Sequence, residues 1–121
     1  MIRSVIRTEK IDMIWFMTDP RFWVWLWEMD NEVRSRAPMV YYHVWDNYPY
    51  PHFNKKYYIS NDHIATISKV SDDIVKTVAP EVQSTYIPHA VDNKVFVPIN
   101  QEEIDKIRKE TLPEEDRDKV I

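Results

Sequence analysis

Pro38-Met-Val-Tyr-Tyr-His-Val-Trp-Asp46 is the stretch whose reading decides the fold. Met39, Val40, Tyr41 and Tyr42 form a continuous apolar and aromatic run, the pattern of a strand covered on both faces. The run predicts a buried strand from Pro38 to Val44 that delivers His43 and Asp46 into the loop beyond it. A polar pair at that end of a strand stands where open α/β sheets bind their ligands.

The flanking sequence repeats this arrangement. Residues 11–17, Ile-Asp-Met-Ile-Trp-Phe-Met, read as an earlier strand ended by Thr18-Asp19-Pro20, with proline suited to a first helical turn. Residues 21–36 read as one helix, because Phe22, Leu26, Met29 and Val33 recur at three- and four-residue spacing. Trp23, Trp25 and Trp27 are too close in sequence to share that stripe, so some of them pack on the sheet and others do not. Strand, helix and strand joined by short loops make a βαβ unit with parallel strands.

On the other side, residues 47–56 are a loop rich in proline and aromatics, and residues 57–61 predict a short helical turn. Residues 62–68 predict a third strand. Residues 69–79 predict a helix with Val70, Ile74 and Val78 inward, Ser68 or Ser71 as its cap, and Pro80 as its stop. Residues 82–87 predict a fourth strand, running into the turn Pro88-His-Ala-Val-Asp92. Asn100 to Leu112 reads as a charged amphipathic helix with Ile104 and Ile107 inward, followed by an acidic linker. Residues 119–121 read as the start of a further strand, and residues 1–10 as a helix end or an arm.

Composition narrows the function classes. The chain has 121 residues, which fits about one domain. Its hydrophobic fraction of 44% and charged fraction of 30% are those of a globular chain. A net charge of -4 argues against a general nucleic-acid binder. Without cysteine, thiolate metal sites and cysteine nucleophiles are excluded. Without glycine, the Gly-rich phosphate loops of dinucleotide and Walker type are excluded too. His52 and His63 complete no metal-ligand spacing, and no cofactor is expected. No apolar run spans a membrane and no secretory leader stands at the start, so a cytoplasmic protein is expected.

The polar residues at the predicted strand ends are Thr18 and Asp19, His43 and Asp46, Ser68, then His89 and Asp92. Parallel strands would bring them to one rim. Tyr48, Tyr50 and Phe53 are aromatics that could stack on a sugar.

Ile64-Ala-Thr-Ile-Ser68, the helix after it, and Tyr86-Ile-Pro-His-Ala-Val-Asp92 followed by Phe96 and Pro98 carry a resemblance. They resemble the group 1 (GT-B fold) nucleotide-sugar glycosyltransferases. In that family a serine-ended strand precedes a helix, and a later strand enters an Ile-Pro-His-Gly-Val-Asp turn with Phe-x-Pro beyond. Ala90 stands where the family has glycine, and alanine resists the positive φ that glycine allows.

The resemblance implies a partial Rossmann-like acceptor-side domain over residues 1–98, with residues 99–121 a linker helix and the start of a truncated donor-side domain. It implies a sugar moved from a nucleotide-sugar donor, held mostly by the second domain, to an unknown sugar, lipid or protein acceptor, with little activity in this chain alone. Through His43-Val-Trp-Asp46, similar to the family's His-Asp loop, it implies His43 as the catalytic group, with Asp46, Ser68, His89 and Asp92 as substrate contacts; the strand-end pattern adds Asp19 and the aromatic loop adds Tyr48. From the residues alone each also has a plainer role. His43 can satisfy loop backbone groups, Ser68 and Asp19 can cap helices, and Asp46 and Asp92 can hold turns. Contact of the tryptophan-rich surface with a membrane is a weaker expectation. The competing reading is a standalone, non-catalytic α/β module that binds carbohydrate or protein.

Overall fold

A computed structural model describes residues 2–119. The strands are β1 (Ile14–Thr18), β2 (Met39–His43), β3 (His63–Thr66) and β4 (Ser84–Tyr86), shorter than their apolar runs. All pair parallel, in the order β1-β2-β3-β4. The chain is thus an α/β protein built on a parallel sheet, as the alternation of patterns requires.

The helices are α1 (Ile2–Thr8), α2 (Val24–Trp27), α3 (Asp30–Arg34), α4 (Lys55–Tyr58), α5 (Lys69–Val78) and α6 (Gln101–Thr111). Helices α2 to α5 connect the strands, α1 precedes them and α6 follows. Because each strand is added on the same side of the last, right-handed crossovers place the connecting helices on a single sheet face. The core agrees. Phe16, Met39, Tyr41 and Ile64, which share one face by register, pack with Leu26, Trp27, Val33, Tyr58, Ile74 and Val75. On the opposite face Trp15 is 52% and Met17 59% exposed.

The predicted helix over residues 21–36 is not continuous. It is a 3-10 turn at Pro20–Phe22, then α2, then α3, with Trp23 and Met29 leaving helical geometry at φ -120° and -117°. Leu26 and Trp27 of α2 and Val33 of α3 all enter the core. Phe22, expected inward, lies in the 3-10 turn and is 70% exposed. Trp27 is buried, Trp23 partly buried and Trp25 exposed.

Helix α5 forms where expected, with Ser68 rather than Ser71 as its cap. Its buried side is Ser71, Asp72, Ile74, Val75 and Val78, and Val70 faces out. Asn100 caps α6 by accepting from the Glu103 N–H, and Ile104 is half-buried while Ile107 is exposed. The expected arm is the helix α1, and the expected acidic linker holds a 3-10 turn at Glu114–Asp116. The strand start expected at residues 119–121 falls mostly outside the described residues.

The chain divides into two compact units between His89 and Ala90. The first contains the sheet. The second contains α6, with Val91, Val95, Phe96 and Val97 all exposed. Among the described residues no helix is long and apolar enough to cross a membrane.

Candidate functional site

Register aligns the strand ends. Thr18 pairs with His43, His43 with Thr66, and Thr66 with Tyr86. Cross-strand partners point to the same face, so these four form a polar row at the carboxyl edge of an otherwise apolar sheet. Thr18 carries the row into Asp19, which caps the following 3-10 turn.

His43 is the centre of the row, and it is fully buried at 0% exposure. Its ring stacks on Tyr41 at 5.4 Å and packs against Tyr58 at 4.9 Å between centroids. Nδ1 accepts a hydrogen bond from the Trp45 N–H at 3.1 Å. The neutral ring therefore carries its proton on Nε2, which has no acceptor among the described residues. Burial lowers the His43 pKa from 6.5 to about 4, because no charged partner repays desolvation of the imidazolium. His43 is therefore a sealed, neutral donor at pH 7. Asp46, expected as a substrate contact, is exposed in the loop, and it is the Trp45 amide that holds His43 Nδ1.

The orphaned Nε2–H has company. Tyr58 OH, Asn54 Nδ2 and Trp45 Nε1 are also buried without a hydrogen-bond partner. All belong to the segment that begins at His43 and ends in α4. Burial pushes Tyr58 up to about 12, and Asn54, which approaches its hydroxyl without reaching full hydrogen-bond geometry, offsets this in part. Tyr41 is better satisfied, since its hydroxyl donates to the Thr18 carbonyl at 2.8 Å. Buried polar groups are nearly always paired, by protein or by water.

Compared with known protein families, with curated proteins and with solved structures, the chain matches none.

The remaining expected site residues take local duties. Asp19 accepts from the Arg21 N–H at 2.9 Å and pairs with its guanidinium at 2.8 Å, and this bonding holds its carboxyl below the usual range. Ser68 Oγ accepts from the Ser71 N–H at 3.0 Å. Ser71 Oγ donates to the Trp45 carbonyl at 3.0 Å, which ties the loop after β2 to the start of α5. Tyr48 is 88% exposed and meets Tyr50 edge-on. His89 is exposed with its ring 5.8 Å from that of Tyr42. Asp92 lies in the second unit and holds its own turn by accepting from the Lys94 N–H at 2.8 Å.

The fold thus brings Thr18, Asp19 and His43 to the rim. Asp46, Tyr48 and Ser68 lie on the segments that leave it. Among the described residues no three His, Asp or Glu side chains are gathered to hold a metal. Sequence reasoning passed over Asn54, Tyr58 and Thr66. Thr66 was legible as the position in register with His43. Asn54 and Tyr58 were not, because nothing in a loop-and-turn pattern says which side chains close over a strand end.

Proposed function

We propose that this chain is the acceptor-side portion of a glycosyltransferase that moves a sugar from a nucleotide-sugar donor to an acceptor carrying free hydroxyls. The observation that carries the reading is the neutral donor cluster of His43, Asn54 and Tyr58 at the carboxyl end of a parallel sheet. Sugar hydroxyls are uncharged oxygen acceptors, and uncharged donors match them without the desolvation cost of an ion. A second support is the division of the chain inside Pro88-His-Ala-Val-Asp92, the turn at which the resembled family crosses between its domains. In this reading the acceptor reaches His43 when the segment 44–54 moves off it. His43 then donates through Nε2 and positions the hydroxyl. A pKa near 4 makes it a weak base.

The sealed position of His43 favours a second reading, a non-catalytic α/β module that binds carbohydrate or protein through the exposed Tyr48 and Phe53.

Two-dimensional NMR of the protein titrated with mono- and disaccharides, then with UDP- and GDP-sugars, tests both. Shifts at His43 and Tyr58 support the acceptor site. Shifts confined to Tyr48 and Phe53 favour the module. A spectrum unmoved by every sugar overturns the carbohydrate assignment.

A further inference from the structure

We infer that the free edge of β1 pairs antiparallel with β1 of a second copy of this chain, giving a two-fold dimer with one continuous sheet. The argument starts from hydrogen bonds. The Ile14 N–H donates to the Pro38 carbonyl at 2.9 Å, so Ile14 faces β2. Lateral direction alternates along a strand. Phe16 and Thr18 therefore face β2 as well, and the N–H and C=O of Trp15 and Met17 point to the edge that no strand among the described residues pairs, since β1 is the first strand in the sheet order.

Such an edge is normally blunted by charge, proline, a bulge or shortness. The other edge, β4, is short, with only Ser84–Tyr86. β1 is Ile-Trp-Phe-Met-Thr, with no charge and no proline, and its two edge-facing residues are the exposed Trp15 and Met17.

The edge is complementary to itself. With Phe16 on the two-fold axis, Trp15 of one copy lies opposite Met17 of the other. Each Trp15–Met17 pair then exchanges two hydrogen bonds, and Phe16–Phe16 is the non-bonded pair between them. The side chains of Trp15 and Met17 emerge on the same, helix-free face, where thioether and indole make a favourable contact. No like charges meet within the paired strands. A two-fold contact also closes, using up the long edge of both copies.

Light scattering of the purified chain across a concentration series is the test. The expected mass rises from 14.7 kDa to twice that value, and Trp15→Lys with Met17→Lys returns it to the monomer while circular dichroism stays unchanged. Phe22→Ser, an exposed aromatic off the strand, leaves the dimer intact. If the lysine variant unfolds, register decides instead, because the chain has no cysteine to interfere. Oxidising a mixture of Trp15→Cys and Met17→Cys proteins is expected to cross-link them to each other, and Trp15→Cys alone is not. A wild type that stays monomeric, a dimer indifferent to both lysines, open-ended aggregates, or equal cross-linking by Trp15→Cys alone would each overturn the inference.

Discussion

Tyr41 and Tyr42 are neighbours in one strand and face opposite sides of one sheet. Tyr41 is fully buried under the helices, stacked between Phe16 and His43, with its hydroxyl held by the Thr18 carbonyl. Tyr42 lies on the side without helices, beside the half-exposed Trp15, yet is itself buried at 7% exposure, with its hydroxyl donating to the Ile87 carbonyl at 2.8 Å. The two faces have similar chemistry, but the second is buried only at Tyr42 and Ala65 and stays open at Trp15 and Met17. What differs is whether a later part of the chain returns to cover them. With strands added in one direction, every return falls on the same face. Hydrophobic patterning thus marks what can be buried, and topology selects what is.

The sharpest way to break this comparison is to hollow out the covered face. Tyr41→Ala removes a ring at the centre of the core and leaves a cavity, so chemical denaturation should show a loss of about 3–5 kcal/mol. A loss below about 1 kcal/mol would mean that the covered face is not the core.

The next test uses the only histidine inside that face. The unfolded chain binds a proton at His43 near pH 6.5, and the folded chain only near pH 4. Its neutral burial therefore leaves stability intact above pH 6.5. Stability is lost as pH falls from there to about 4, by about 3 kcal/mol in all at about 1.4 kcal/mol per pH unit. Asp19, Asp62 and Asp72, all held below the ordinary carboxylate value, lose their contributions at lower pH still. Denaturation midpoints measured across this window should slope in the wild type and flatten in His43→Asn. An equal slope in both would place the titration elsewhere.

Ser68→Ala probes the frame between the faces. It removes the cap of α5 and the contact to Ser71, which itself holds the Trp45 carbonyl, and should cost about 1 kcal/mol. Restoration by Ser68→Asp, which can cap in the same way, would separate the cap from general packing.

The smallest effect belongs to the open face. Met17→Ser should leave monomer stability within about 0.5 kcal/mol, because the side chain is mostly in water. A large loss would show that this face is covered after all.

Much of the fold was legible. β2, β3 and β4 sit inside their expected stretches, β1 runs one residue past its own to Thr18, and Ser68, one of two expected caps, caps α5. The misses share one cause. Residues 21–36 have the spacing of one helix, yet the chain leaves helical geometry at Trp23 and Met29 as Leu26, Trp27 and Val33 pack into the core. Val70 has the right interval for the buried stripe and still faces out, because the side that meets β3 and β4 is centred on Ser71, Ile74, Val75 and Val78. At the rim, Thr18 and His43 were identifiable as strand-end polar residues. The closing of Tyr58 over His43 was not.

By itself the sequence determined the parallel α/β plan, the caps and turns, and the absence of Gly-rich phosphate loops and thiolate sites, because backbone preference and side-chain chemistry are local properties. Only the tertiary structure decided which sheet face is covered, which tryptophan is buried, and that His43 is a sealed neutral donor. Those outcomes depend on segments distant in the chain arriving at one place, and burial, which sets both hydrophobic gain and pKa, belongs to the place.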